Sequence, residues 1–557
     1  MNIEGMQSSD KNSFKCDQCV YSCDREAKLE NHVKVKHTEI EVINSDKPSR
    51  ATAYRKLKRF GEDYEAQSYM KKKLKHADGD QISDFDIEKM MLENPLMSNQ
   101  EIIRSLQVIR NRLGKAAFDT NVKYALKRRR NLLEDYHTAE NLTFEDHDDE
   151  VDRPVTFIND MNAFISDICS KRDHSEENLT LALGIDGGQG KLIITLTVSP
   201  EGEGDRAKRK EQTEKRKTLK STGKRRAFVV ARVDGVPENY DNLTQLLGTL
   251  NLPTLDKEFG VVCDLKVIDI LVGLQSTSSR HSCPYCKGAK IDTNGDFTNY
   301  GLWNLDAERR DFEDLTSDYL RYRNEANDRR RLKDFNSVEF PPIVMHSDQM
   351  NKPILELLPP PELHATLLGP VNQTFKILSK TVPGLDDFMK ENNTKGSGCG
   401  GDLNRPTIKK LLQNHHNQLT NLEILCRNVF DDHLLFIEHL RNINLLHTLV
   451  NSHTLSLDTI KAVIAQMRRT FIKLHTTFHM SESLKLHIIF SHYVEYFELT
   501  GHTLLKYTDE VTEAVRSQLR MFEERHQYKR NNKESTGHAK AQHNCTVFFN
   551  SVALGDL

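Results

Sequence analysis

Hydrophobic and polar positions are arranged in three different ways along this chain. At 179–198, LTLALGIDGGQGKLIITLTV, two β-rich apolar runs flank a turn built on Gly187, Gly188 and Gly190. That pattern predicts a hairpin of two strands, each of about six to eight residues and apolar enough to be buried. A third strand is expected over 227–233, a helix over 242–250, a fourth strand over 259–263, and a helix, LKVIDILVGL, directly after it. From 288 to 480 the apolar positions recur at helical spacing, as in LHATLLGPVNQTFKIL, HLLFIEHLRNINLLHTLV and LDTIKAVIAQMRRTFIKLHTTF. A Gly-rich break, KGSGCGGDLNR, divides that stretch. From 41 to 175 the pattern is mainly helical but charged and interrupted, with Ile102, Ile103, Leu106, Ile109 and Leu113 on one side of a helix. The segment after Tyr528 is short and polar with no clear final helix, so 536–557 is expected to be a tail.

Length and composition narrow the class. A chain of 557 residues has room for roughly two to four domains. Apolar content of 37% beside 29% charged residues fits a soluble protein with long polar segments. No run of about 18 apolar residues exists, so no membrane partner is expected. The start, MNIEGMQSSDKNS, lacks the apolar core of a signal peptide. Net charge is −3, yet bases cluster at 55–59, 71–75, 127–130 and in the low-complexity insert 206–226, while acid gathers at 145–152. Such segregation suits a polyanion such as double-stranded DNA, although charge runs are also ordinary solvated faces. The basic insert reads as mobile, and as a nuclear import signal, a phosphate-contacting loop or both. Four of the ten cysteines form two CxxC pairs, each matched by a His-x4-His, which argues for zinc in a reducing compartment and against disulfides.

Cys16-x2-Cys19, twelve residues, then His32-x4-His37 is the spacing of a ββα zinc finger. Counting back from His32, the groove-facing positions are Arg25, Lys28 and Asn31, types that read guanine, guanine and adenine edges. A lone finger covers about three base pairs and could equally grip protein or RNA. Asp186 ends the first strand of the hairpin, where it is either a turn residue or a carboxylate paired with a cation. Asp264 ends the fourth strand, as a helix N-cap, a metal ligand or both. Three strands in a meander, a helix and a strand ending in an acid form the opening of an RNase H-like fold. Cys283-x2-Cys286 has no local partner pair, and His487-x4-His492 lies two hundred residues on. Either alone fits buried thiols or helix histidines. Together they suggest a split Cys2His2 zinc site. Past His492, Asp509, Glu510 and Glu513 open a helix capped by Thr508, where the helix dipole favours acids in any case.

In this order the blocks resemble the Transib-like DDE transposases, the group that includes the catalytic subunit of the vertebrate V(D)J recombinase. The resemblance runs over about 179–528 and rests on strand-Asp-Gly-Gly, Asp264, the CxxC, LHATLLGPVNQTFKIL, the His-x4-His and TDEVTEAVRSQL. It implies an α/β fold with added helices: an RNase H-like catalytic domain split by a large helical insertion and closed by the zinc site. The expected segments are a finger (1–40), a basic helical DNA-contacting region (41–175), the first part of the core (176–287), the insertion (288–480), the helices completing the core (481–535) and the tail (536–557). By the same resemblance the catalytic acids fall on Asp186, Asp264 and Glu513, with Glu510 as the rival third acid. The zinc ligands fall on Cys283, Cys286, His487 and His492.

Three acids holding Mg²⁺ or Mn²⁺ suit in-line displacement at a phosphodiester, and hard carboxylates select those ions over zinc. The expected activity is therefore nicking and strand transfer on DNA in the nucleus, by a homodimer on paired ends, with two structural zinc sites. The finger and basic helices do not match the recombinase's own DNA-binding region. Two other functions stay open: a domesticated, catalytically silent DNA-binding or regulatory protein, and an RNase H-like nuclease without strand transfer.

Overall fold

The computed structural model describes residues 8–10, 13–15, 22–23 and, between 133 and 553, all but 148, 173, 189, 201–226, 293, 295, 299, 327, 392–402, 453, 508–511, 513–514, 517–518 and 520–535. The chain divides into two compact units, residues 1–81 with 104–117, and residues 82–103 with 118–557. In the first, the described residues form a small antiparallel sheet of Ser8–Asp10, Ser13–Lys15 and Ser22–Cys23, with Phe14 opposite Cys23. The expected finger ligands Cys16, Cys19, His32 and His37, and the positions Arg25, Lys28 and Asn31, lie outside the described residues. So do the basic insert and most of the region expected to be basic and helical.

The second unit is built on a six-stranded mixed sheet. Its strands are β1 (His137–Asp146), β2 (Asp149–Ile158), β3 (Leu179–Gly188), β4 (Lys191–Pro200), β5 (Ala227–Asp234) and β6 (Phe259–Val262). Helix α1 (Met161–Arg172) links β2 to β3, α2 (Tyr240–Gly248) links β5 to β6, and α3 (Leu265–Leu271) leaves β6. The spatial order is β1-β2-β5-β4-β3-β6, and every pair is antiparallel except β3 with β6. The meander and the following strand were legible as apolar runs. β3 and β4 are longer than expected, ten residues each, because the pairing continues through Gly187 and Gly188 to Leu192 and Lys191. Just before β4, Gly190 takes φ 69°, a value that favours glycine.

Two expectations are corrected here. The stretch 137–158 is a β-hairpin, not part of a helical region. β1 is an edge strand with half of its residues exposed, so its apolar alternation is faint, and its charges blunt an open edge. The acid cluster noted at 145–152 is the tip of this hairpin, turned at His147 with φ 63°. The C-terminal segment is not a plain tail either, because Thr536–Ala553 is an 18-residue helix. It packs on β5, β2 and β1. Its buried face is half polar: Gln542 donates to the carbonyls of Pro154 and Arg232 (3.1 and 3.0 Å), and Asn550 bridges Val229 N and O at 2.7 Å each. β2 pairs with β5 only from Ala231 to Val233, so Val229 has no partner there and Asn550 serves as one.

After α3, a two-residue hairpin, β7 (Lys290–Ile291) with β8 (Leu302–Trp303), precedes α4 (Phe312–Glu325). A helical array follows: α5 (Gly369–Thr381), entered through a π-helical turn at Leu363–Leu368, then α6 (Leu385–Glu391), α7 (Arg405–Leu412), α8 (Gln418–Arg427), α9 (Leu434–Val450) and α10 (Leu457–Phe478). In α10, Ile460, Ile464, Met467, Phe471 and Leu474 are buried at helical spacing and pack against α9. α11 (Leu484–Ser491), α12 (Tyr493–Thr500) and α13, the C-terminal helix already described, complete the unit. Among the described residues no helix is long and apolar enough to cross a membrane.

Candidate metal centres

Cys283, Cys286, His487 and His492 converge as the spacing suggested. Their ligand atoms lie within 4.8 Å of one another and all four side chains are fully buried. Cys283 Sγ is 3.3 Å from His492 Nε2, and Cys286 Sγ is 3.3 Å from His487 Nε2. Ideal tetrahedral zinc bonds would set sulfur and nitrogen roughly 3.5 Å apart, so the cage has the size of a zinc site. Its chemistry fits too. A hydrogen bond from Cys283 draws Cys286 toward the thiolate, and the two imidazoles reinforce this. Burial pushes the Cys283 thiol up and keeps His487 neutral, the ligand form of imidazole.

The surroundings orient these ligands. His492 Nδ1 meets Glu495 Oε2 at 3.1 Å, and Glu495 in turn holds Arg309 at 2.8 Å, a carboxylate–histidine–metal arrangement. Trp303 of β8 stacks on His487 with centroids 4.4 Å apart. Glu482 fixes that indole by accepting from Trp303 N (2.9 Å), while its backbone carbonyl accepts from Nε1 (3.3 Å). Buried Arg310 braces the cysteine loop by donating to the carbonyls of Cys286, His281 and Asn336.

The expected acids Asp186 and Asp264 lie where β3 and β6 end. These strands run parallel with Gly184 opposite Val262, and Asp186 and Asp264 each stand two residues further on. Asp264 caps α3, Oδ1 accepting from Val267 N at 2.9 Å, so its helix-cap role is realised. Asp186 is half-buried on β3, opposite Ile193, and meets the Arg516 guanidinium. Thr512, Val515, Arg516 and Leu519 are helical. Thr512 Oγ1 would lie 2.1 Å from a Cβ on Gly184, so only a bare backbone admits so close a contact on β3. Glu513, Glu510 and Asp509 lie outside the described residues.

One acid beside Asp186 and Gly187 was missed. Glu238 follows β5 in the turn VDGVPENY, where nothing in spacing or hydropathy marks it. Its carboxylate abuts Gly187: a Cβ there would lie 1.9 Å from Oε1. Oε1 is buried without a hydrogen-bond partner, while Oε2 is paired with Lys266 of α3. Asp186, Asp264 and Glu238 come from β3, the start of α3 and the turn after β5, and among the described residues only the Cys2His2 set brings three or more ligand atoms together. A buried carboxylate oxygen lacking a donor is costly, and a hard cation is one way to satisfy it. Comparison with known protein families and with curated proteins finds no match to this chain.

Proposed function

We propose that this chain is a DDE-type DNA transposase or recombinase, holding Mg²⁺ or Mn²⁺ with Asp186, Asp264 and Glu513. The observation carrying the proposal is the shared end of β3 and β6, where two acids each follow the last paired residues by two positions, Asp186 still on β3 and Asp264 capping α3. Strands in adjacent positions lie about 4.8 Å apart, within reach of shared coordination. The order β5-β4-β3-β6, with the last strand parallel to β3, supports an RNase H-like core. The buried Cys2His2 set supports the split domain that the resemblance to Transib-like transposases implies. Thr512 and Arg516, which flank Glu513 in sequence, touch β3, and this favours Glu513 as the third acid.

Divalent ions held there would supply Lewis-acid stabilisation of the attacking and leaving oxygens of an in-line displacement. The chain's own groups do the positioning. The Val267 amide fixes the Asp264 carboxylate, and the hairpin register fixes Asp186. Lys266 pairs with the Glu238 carboxylate next to them. The basic segments would bind the phosphate backbone, with a steep salt dependence, in a nuclear homodimer on paired ends.

The test is Mn²⁺-dependent nicking of a plasmid carrying the gene's own flanking sequences. Asp186→Asn, Asp264→Asn and Glu513→Gln should each abolish nicking and leave DNA binding intact, while Glu510→Gln keeps its rate. A wild-type protein that binds this DNA, with two metal-free acids and no nicking, would instead be a silent DNA-binding protein.

A further inference from the structure

Asp186 is already engaged by a cation. Arg516 Nη1 stands 3.1 Å from Oδ1 and 3.1 Å from Oδ2, and 3.5 Å from the Gly187 carbonyl oxygen. A guanidinium paired fork to fork with a carboxylate uses two nitrogens, one for each oxygen. Here a single nitrogen is equidistant from both oxygens. That is where a cation stands when a carboxylate binds it bidentately, and the Gly187 carbonyl adds a third oxygen to the same seat. The other terminal nitrogen, Nη2, is buried and has no acceptor among the described residues. It lies 2.7 Å from where a Cβ on Gly188 would be, so the bare glycine at φ 143° is what admits the guanidinium. Half of the arginine's fork is therefore unsatisfied, and the pair is weaker than a full bidentate one.

We propose that Arg516 is the resident counter-ion of Asp186, which a divalent cation displaces when it loads the site. A divalent ion held between both oxygens would need the place Nη1 fills, so in that mode metal and guanidinium exclude each other. The inference rests on Asp186 being a metal ligand. Loading then carries a built-in threshold, because the ion must outcompete an intramolecular cation.

The experiment titrates Mn²⁺ into the zinc-replete full chain and counts free Mn²⁺ by electron paramagnetic resonance. Arg516→Ala and Arg516→Gln should bind Mn²⁺ roughly fivefold tighter than wild type, the scale of a part-exposed ion pair, and Asp186→Asn should bind it more weakly. Agreement between the Ala and Gln variants guards against a folding artefact. In a Mn²⁺-soaked crystal of wild type, the ion should sit on Asp186 with Arg516 beyond hydrogen-bond distance. If both Arg516 variants match wild type while Asp186→Asn loses affinity, the metal site stands and the counter-ion role falls. Mn²⁺ seated on Asp186 with the Nη1 contact kept would overturn it equally. If Asp186→Asn binds Mn²⁺ as well as wild type, the metal-ligand assignment itself fails, and the counter-ion role fails with it.

Discussion

Glu482 is buried behind the Cys2His2 centre with one carboxylate oxygen bonded to Trp303 N and the other unpartnered. Burial pushes its carboxyl up from the usual range to about 7. A carboxyl raised in this way contributes stability that is fully present below pH 4.5 and is lost as pH rises through about 7. Between pH 4.5 and pH 8 wild type should therefore lose on the order of 2–3 kcal/mol relative to Glu482→Gln, read from urea midpoints of both proteins at each pH. Parallel pH profiles would sink the assignment. Beside Asp186, Gly187→Ala should push Glu238 off its seat and cut nicking by at least about tenfold with little change in melting temperature. A fully active alanine variant would place Glu238 outside the chemistry. These residues divide by how they signal themselves. The four Cys/His ligands and Asp264 were legible because metal spacing and strand-to-helix junctions are local patterns. Glu238 and Glu482 were not, since each owes its role to a partner brought in by tertiary packing.

At the scale of elements, the apolar strands β3 to β6 and the helices α9 and α10 were readable, because burial on both faces or at helical period leaves a strong trace. α13 was missed for a physical reason. Its inward stripe places Gln542, Thr546 and Asn550 four residues apart, all buried, so hydropathy sees a polar segment where the sheet sees matched hydrogen bonds. Asn550→Ala should leave both Val229 groups buried and unpaired, at a cost of about 2–3 kcal/mol, measured by urea unfolding at pH 7. A loss under about 0.5 kcal/mol would mean that water replaces the amide. Asn550 also donates to His137 Nε2, whose Nδ1 donates to the Leu133 carbonyl. That ring is neutral, its pKa lowered by burial to about 4. Its contribution is present above pH 6.5 and lost as pH falls through about 4. α13 should loosen on that acid limb, and His137→Gln should flatten the slope of the urea midpoint there.

For the whole molecule, the Cys2His2 centre joins segments 201 and 209 residues apart. Cys283→Ser should remove one equivalent of zinc from the full chain and destabilise it by at least about 3 kcal/mol, checked by metal analysis and urea unfolding. Unchanged zinc content would break the pairing of the two halves. The distance along the chain has a consequence during synthesis. At about 5–20 residues per second, His487 leaves the ribosome roughly 10–40 s after Cys286. Through that interval two thiols await the imidazoles that complete their cage. Maturation is therefore timed by translation, and a slow ribosome or an oxidising compartment would leave the nascent chain with a half-made clasp.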